Sequence, residues 1–298
     1  MEKRRYGKTD MEVSVLGFGG AEIGFRGATD EQVKKLLSGA LDLGLNLIDT
    51  AACYNTSEEL IGRAVSHRRD DVYLFTKCGH AAGLDGPDWS PEMMAQSIDR
   101  SLKRLRTDYV DVIHLHGCDE SVLRQGAVIE VLQKARDAGK TRYIGYSGDG
   151  QAALFAVECG AFDSLETSVS IADQEAIDLT LPKAQERGMG VVVKRPIANA
   201  AWLNETLPDN DYAKPYWDRL RALDYGFLHE GKIESVAHAL CFTLSVPGVH
   251  SAIVGTTKPE RYAQNASALD KGLLSEVEYE EIRNRWRAVK QPDWVGKG

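Results

Sequence analysis

Long hydrophobic runs are missing from this sequence of 298 residues. No stretch approaches the ~20 apolar residues that a membrane-spanning helix needs, which argues against an integral membrane protein. The first residues, MEKRRYGKTDMEV, are partly basic but are not followed by the apolar segment of a secretory signal. The pattern therefore predicts a protein that is neither secreted nor inserted into a membrane.

Excess positive charge and paired cysteines are also missing. Lys and Arg number 36 against 44 Asp and Glu, so the net charge is −8, which argues against a broad surface for nucleic acid or anionic membrane. The cysteines are odd in number, far apart and without a C-x-x-C pair, which favours free thiols in a reducing compartment. We therefore expect a cytoplasmic protein without nucleic-acid or membrane partners.

The sequence does contain a repeated alternation of short β-branched runs and amphipathic stretches of helical period. Eight strand candidates lie at 13–20, 45–51, 72–77, 110–116, 141–147, 162–168, 190–196 and 249–256. Eight βα units favour a closed parallel barrel over an open doubly wound sheet, because GFGG at 17–20 lacks the G-x-G-x-x-G spacing. We expect an α/β fold: one (β/α)8 TIM-barrel domain over residues 1–298, with an N-terminal β segment and a long loop after the seventh strand.

Polar residues end several of these strands. The second, third and fourth strand candidates lead to Asp49, Lys77 and His116. Catalytic groups of such barrels lie at the carboxyl ends of the strands, so these three side chains are expected to meet at the barrel mouth. Side chains alternate along a strand, so an inward Asp49 also predicts an inward Leu45, and an inward His116 predicts an inward His114.

The segment GLNLIDTAACYNTSEELIG (44–62) resembles the signature of the aldo-keto reductase family. LFTKCG (74–79) and DYVDVIHLH (108–116) are similar to the family's lysine and histidine strands, and YIGYS (143–147) and IVGTTKPERYAQNA (253–266) to its cofactor-binding segments. The matches span nearly the whole chain in the family's order. The resemblance implies reduction of an aldehyde or ketone to an alcohol by hydride transfer, with NADP(H) as cofactor and NAD(H) as the alternative.

The resemblance also implies a catalytic tetrad of Asp49, Tyr54, Lys77 and His116. The chemistry supports these roles, because a carbonyl that accepts hydride needs a proton donor, and a free phenol with a pKa near 10 is a weak acid at pH 7. An ammonium beside Tyr54 favours the phenolate, and a carboxylate keeps that ammonium charged and in place. His116 then orients the substrate carbonyl by a hydrogen bond.

The resemblance implies further contacts to cofactor and substrate. The implied cofactor-binding residues are Gly19, Ser147, Glu166, Lys194, Arg195, Gly255, Thr256, Lys258, Arg261, Gln264 and Asn265. Arg261 is the strongest of these, because a planar guanidinium suits both a phosphate and an adenine ring. The expected substrate-binding residues are Ala21, Phe25, Trp89 and Trp202, the last within a long aromatic segment (197–231) that we interpret as a lid or a surface insertion. No metal site is expected.

Some positions depart from the family pattern. Gly148 stands where the family usually has asparagine, Glu166 replaces a glutamine, and His114 replaces an apolar residue. Gly255 stands where many relatives carry a basic residue, and the tyrosine often stacked on nicotinamide has no match in GVVVKRPIANA. These departures bear on the nicotinamide contacts and on the choice between NADP(H) and NAD(H), while the four tetrad residues are intact.

Other interpretations remain open from the sequence. A metal-dependent barrel hydrolase is the main alternative, because His114 and His116 share one strand face. A Schiff-base aldolase would use Lys77 or Lys194. A reductase-like regulatory subunit would bind NADP(H) without turnover. The expected partner of an enzyme of this kind is a small carbonyl or alcohol substrate.

Overall fold

The chain begins with a two-stranded antiparallel hairpin, β1 (Lys3–Arg5) and β2 (Glu12–Ser14), in a computed structural model that describes residues 1–209 and 212–296. Tyr6, Met11 and Val13 of this hairpin are fully buried and close the amino-terminal end of the barrel interior. The predicted N-terminal β segment is confirmed. The first strand candidate is split at Val15, so its start belongs to the hairpin and only its second half to the barrel.

The barrel consists of parallel strands that follow one another around it in chain order. They are β3 (Leu16–Gly19), β4 (Leu47–Asp49), β5 (Tyr73–Cys78), β6 (Val110–His116), β7 (Thr141–Ser147), β8 (Ser164–Ser168), β9 (Gly190–Lys194) and β10 (Ser251–Val254). β10 pairs with β3, where Ala252 lies opposite Leu16, and this pairing closes the ring. The predicted closed (β/α)8 barrel is confirmed.

Helices separate the strands and form the outer layer. They are α1 (Ala21–Phe25), α2 (Asp30–Asp42), α3 (Ser57–Val65), α4 (Pro91–Leu105), α5 (Glu120–Gln125), α6 (Ala127–Asp137), α7 (Gly150–Glu158), α8 (Glu175–Leu179), α9 (Leu181–Glu186), α10 (Lys214–Leu223), α11 (Lys232–Ser245), α12 (Pro259–Ala268) and α13 (Glu276–Val289). Local sequence explains their starts. Thr29 and Ser275 form capping boxes with Gln32 and Glu278, and Pro91 lies in the first turn of α4.

Two features of the outer layer differ from a simple alternation of one helix or loop per strand. The stretch 121–140 forms two helices, because Gly126 adopts a φ of 80° between α5 and α6. The stretch 197–231 follows β9 as predicted, but it is not irregular throughout. It contains α10 and two 3₁₀ turns, Ala198–Leu203 and Gly226–His229, and two of its aromatic residues, Tyr216 and Tyr225, are buried.

Side-chain alternation places an apolar layer inside the barrel, including Leu47, Phe75 and Val192. His114 is inside as well, since its ring is fully buried 5.8 Å from the ring of Phe75. Leu45 was expected inside but packs in the outer hydrophobic layer. The alternation does not extend back to it, because β4 begins only at Leu47.

None of the helices in residues 1–209 and 212–296 is long and apolar enough to cross a bilayer.

Candidate active site

Three strand ends and one loop bring the predicted catalytic side chains together at the barrel mouth, the end formed by the carboxyl termini of the strands. Asp49 ends β4, Lys77 lies one residue before the end of β5, and His116 ends β6. Tyr54 lies in the loop after β4, directly before α3. The parallel register explains the grouping, because it sets Asp49 beside Phe75 and Lys77 beside His114 on neighbouring strands.

Lys77 is a fully buried ammonium held between two buried carboxylates. Its Nζ donates to Asp49 Oδ2 at 2.5 Å and to the carbonyl oxygen of Thr50 at 3.0 Å, and it lies 3.2 Å from Glu166 Oε2. Burial alone would lower the pKa of Lys77, but the two carboxylates outweigh it and raise the pKa above its usual range. Lys77 is therefore a permanent positive charge beneath the mouth.

Tyr54 is half-buried above that charge. Lys77 Nζ lies 5.2 Å from the centre of the Tyr54 ring, and the ring of His116 meets it edge-on at 5.7 Å. Loss of solvent raises the pKa of the Tyr54 phenol, while the Lys77 ammonium acts in the opposite direction. The phenol therefore keeps its proton at neutral pH and has a cation beside it that would stabilise the phenolate.

His116 is the fourth member of the group, and Cys53 is a neighbour that sequence reasoning did not assign to the site. Cys53 Sγ lies 3.4 Å from Nδ1 of His116. Burial and then the positive charge of Lys77 hold the pKa of His116 well below its usual range, so the imidazole is neutral. Cys53 directly precedes Tyr54, so the family signature itself carries it into the site.

The surroundings of the mouth include two of the predicted substrate residues. The ring of Phe25, at the end of α1, is exposed and lies 5.6 Å from the ring of Tyr54. Trp89 contacts His80, whose ring lies 5.0 Å from that of His116 and whose Nδ1 is 2.9 Å from Asp88 Oδ2. His80 was missed as a substrate candidate, because no spacing rule ties a loop residue to a distant tryptophan.

Two other substrate candidates lie in different surroundings. Ala21 opens α1 directly after the end of β3. Trp202 lies in the 3₁₀ turn after β9, and its indole N–H donates to Ser235 Oγ on α11 at 3.1 Å. That contact ties Trp202 to α11, whereas Phe25 contacts Tyr54 and Trp89 contacts His80.

The predicted nicotinamide contacts lie on consecutive strand ends. Ser147 pairs with His116 on one side and with Glu166 on the other, and both Ser147 and Glu166 are buried. Lys194 Nζ forms an ion pair with Asp149 Oδ2 at 3.0 Å, and Arg195 Nη1 donates to Ser168 Oγ at 3.1 Å. Glu166 faces Lys77, which the sequence alone did not indicate.

A second group of predicted cofactor residues lies at the start of α12. Arg261, Gln264 and Asn265 line a cavity of about 210 Å³, together with Lys232 and Ile233 of α11. Sequence reasoning missed Lys232, which comes from another βα unit and has no motif of its own. Two cations on one small cavity fit a ligand with a phosphate.

The remaining cofactor candidates lie at the end of β3 and in the segment between β10 and α12, outside the lining of this cavity. Gly19 is the last residue of β3, and Gly255 directly follows β10. A Cβ on Gly19 would lie 3.6 Å from the backbone nitrogen of Gly255. Lys258 precedes α12, and its backbone N–H donates to Thr256 Oγ1 at 3.0 Å. A side chain on Gly255 would crowd the side chain of Glu22, since its Cβ would lie 3.0 Å from Cγ.

A group of possible metal ligands also lies beneath the mouth. The ligand atoms of Asp49, His114 and Glu166 all lie within 4.8 Å of one another. The Lys77 ammonium contacts both carboxylates of this group and supplies its positive charge. His116, the second histidine of the hydrolase interpretation, is not part of the group, and this interpretation is not favoured.

Comparison with known proteins decides the family. The Aldo/keto reductase family matches residues 15–287. This chain belongs to that family. The resemblance found in the sequence is thus confirmed, and the protein is a nicotinamide-dependent oxidoreductase.

Individual relatives align over almost the full chain. L-Galactose dehydrogenase of Arabidopsis thaliana is 29% identical over 95% of this chain and 96% of its own. NADH-specific methylglyoxal reductase of Escherichia coli is 26% identical, over 92% and 95%. The holo form of an aldo-keto reductase from Bacillus halodurans superposes with a TM-score of 0.84 at 27% identity and covers 99% of both chains.

Proposed function

We propose that this reductase converts a small aldehyde or ketone to the alcohol with NADP(H), using Tyr54 as the proton donor. The observation that carries the proposal is the buried Asp49–Lys77 ion pair of 2.5 Å directly below the Tyr54 ring. Burying two charges costs desolvation free energy, so a buried ion pair is not an efficient way to stabilise a fold. Its position below Tyr54 therefore supports a catalytic role.

Each side chain has a defined task in this proposal. The reduced nicotinamide supplies the hydride when it is bound. Tyr54 gives its phenolic proton to the oxygen of the substrate as negative charge develops there, and takes a proton back in the oxidation direction. Lys77 stabilises the phenolate that remains, and Asp49 keeps Lys77 charged and in place. Neutral His116 donates a hydrogen bond that orients the carbonyl.

The preference for NADP(H) rests on the cavity at α12. Arg261 and Lys232 bring two cations to a space of about 210 Å³, and a 2′-phosphate is the group of NADP(H) that would use them. The name of the Escherichia coli relative, NADH-specific methylglyoxal reductase, keeps NAD(H) as the alternative. We place the reaction in the cytoplasm, an assignment supported by five cysteines that are all free.

A second candidate function is oxidation of a sugar. It is supported by the similarity to L-galactose dehydrogenase and by the polar pair of His80 and Asp88 beside His116. Hydroxyl groups of a sugar would find a donor and an acceptor there. A substrate panel that includes aldoses in the oxidation direction separates the two candidates.

The test combines binding with turnover. Fluorescence titrations with NADPH and NADH measure cofactor affinity, and an aldehyde, ketone and aldose panel measures activity in both directions. Tyr54→Phe is expected to lower kcat by about 10²–10⁴ while cofactor affinity stays within twofold, since only the proton donor is lost. Tyr109→Phe, far from the mouth on the segment before β6, is the matched control. Full activity of Tyr54→Phe would rule out the mechanism.

A further inference from the structure

The catalytic histidine has one polar side-chain neighbour in ordinary hydrogen-bonding reach. Within residues 1–209 and 212–296, the His116 ring has a single hydrogen-bonding contact, between Nδ1 and Cys53 Sγ at 3.4 Å. Its other close neighbours are rings, Tyr54 at 5.7 Å and His80 at 5.0 Å between centres. The atom bound to Nδ1 therefore decides which ring nitrogen carries the proton.

The protonation states of the two partners determine the direction of this hydrogen bond. Burial raises the pKa of the Cys53 thiol, so it keeps its proton, although the positive charge of Lys77 acts against this. Burial also keeps His116 neutral, supported by the positive charge of Lys77 and by repulsion from His80, Lys194 and His114. Both effects disfavour a thiolate–imidazolium pair. With both groups neutral, donation from the thiol to Nδ1 is favoured over the reverse direction, because an imidazole nitrogen is a better acceptor than a thiol sulfur. The ring proton then lies on Nε2.

This arrangement matters for the reaction because a neutral imidazole has only one N–H. If Nδ1 carried the proton, Nε2 would offer a lone pair and would repel a substrate carbonyl. With Nδ1 occupied by the thiol, Nε2 offers its N–H as the donor. The weak S–H donor suffices, because the two neutral tautomers of histidine differ little in free energy and a single hydrogen bond selects between them.

We propose that Cys53 is a positioning residue that holds His116 in the tautomer with its proton on Nε2, ready to donate to the substrate. The inference rests on the reductase function proposed above, in which His116 orients the carbonyl. Cys53 itself touches neither substrate nor cofactor in this role. It acts through His116, as an outer partner fixes the ring of a metal-bound histidine.

Three substitutions separate hydrogen bonding from packing. Cys53→Ser keeps a donor, Cys53→Val keeps the bulk without a donor, and Cys53→Ala keeps neither. We expect Cys53→Val and Cys53→Ala to lower kcat/KM for the carbonyl about tenfold, as loss of an outer hydrogen-bond partner does, and Cys53→Ser to stay within twofold of wild type. Cofactor affinity should be unchanged in all three. Cys159→Ser, at an exposed free cysteine, is the control.

Equal losses of kcat/KM in Cys53→Ser and Cys53→Val would overturn the proposal in favour of a packing role. A loss in Cys53→Ala that is absent in Cys53→Val would do the same. A variant that fails to fold does not remove the test, because a second measurement uses the unaltered protein. In wild type labelled with ¹⁵N-histidine, long-range ¹H–¹⁵N spectra are expected to show neutral His116 with its proton on Nε2, assigned by comparison with His116→Gln. A proton on Nδ1, or a charged ring at pH 7, would contradict it.

The two measurements also distinguish the proposal from the function on which it rests. The spectra need neither cofactor nor substrate, so the tautomer is measured even if no carbonyl is reduced. Alkylation adds a further check, since a thiol reacts slowly with iodoacetamide at pH 6 and a thiolate reacts fast. Fast alkylation of Cys53 at that pH would reveal an ion pair and overturn the inference.

Discussion

The ring of His114 occupies the space that a side chain on Gly145 would fill. A Cβ built on Gly145 would lie 2.3 Å from Cδ2 of His114. The buried ring is fixed there, because Nε2 of His114 lies 2.8 Å from Ser164 Oγ, which lies 2.6 Å from the hydroxyl of Tyr6. The absence of a side chain at Gly145 of β7 thus makes room for a polar residue inside the barrel, next to Glu166, which pairs with Lys77.

Gly145→Ala is expected to lower the free energy of unfolding by about 1–3 kcal/mol, since the added methyl group must displace a packed ring. Urea unfolding measures the change. Gly39→Ala is the matched control, because Gly39 lies exposed inside α2 with nothing within 4 Å of the added Cβ. The same substitution should stabilise the protein there by about 0.5–1 kcal/mol. Two effects of the same sign would contradict the packing argument.

Arg261→Ala is expected to weaken NADPH binding by about tenfold or more and NADH binding little, because the lost guanidinium would contact the phosphate that only NADPH carries. Lys232→Ala should show a smaller loss with the same preference. Fluorescence titrations at two salt concentrations measure both. The salt dependence for NADPH should decrease in each variant.

Lys134→Ala provides the control for these titrations. Lys134 lies on α6 with 79% of its side chain exposed and pairs only loosely with Glu130. Loss of this charge should leave both cofactor affinities unchanged. Equal weakening of NADPH and NADH by Arg261→Ala would instead indicate that Arg261 contacts the adenine or pyrophosphate, and would remove the argument for NADP(H).

His250 is expected to lower the free energy of unfolding as the solution becomes mildly acidic. Its Nδ1 accepts from the N–H of Val191 at 3.0 Å, and burial lowers its pKa from 6.5 to about 4. The unfolded chain therefore binds a proton between pH 6.5 and 4 that the folded chain does not, and stability decreases as the pH falls through this window. From pH 7 to 5 this group should cost about 1–2 kcal/mol, measured by urea unfolding.

His250→Gln should reduce that pH dependence, while His67→Gln at an exposed position of the 3₁₀ turn after α3 should leave it intact. Comparing the slopes of the free energy of unfolding against pH isolates His250 from the other buried histidines. If the free energy of unfolding of His250→Gln depends on pH as steeply as that of wild type, the His250 ring either carries a proton in the folded protein or does not contribute to this pH dependence.

Alternation and motif spacing sufficed to predict the strand order, the barrel and the strand-end positions of Asp49, Lys77 and His116. Both are local signals, since a strand has period two and a catalytic group follows directly on its strand. The same rule gave a wrong position for Leu45, because it holds only inside a strand and β4 is three residues long.

Contacts across the barrel could not be predicted in this way. Glu166 matches a cofactor position by alignment, yet its carboxylate faces Lys77, and only the closed ring brings β8 opposite β5. Lys232 and Cys53 were missed for related reasons. Lys232 lines the same cavity as Arg261 from a different βα unit, and Cys53 is a small residue that contacts His116 on a distant strand.

The hairpin that closes the bottom of the barrel imposes an order on biosynthesis. Its residues are synthesised long before their docking partners, since Arg4 donates to the carbonyl oxygen of Val249, 245 positions later. The hairpin therefore cannot complete this docking until the segment before β10 has been synthesised, and until then the apolar interior lies open at one end. Contacts between segments so far apart form slowly and leave apolar surface exposed to aggregation meanwhile, so chaperones should bind this protein mainly before β10 is complete.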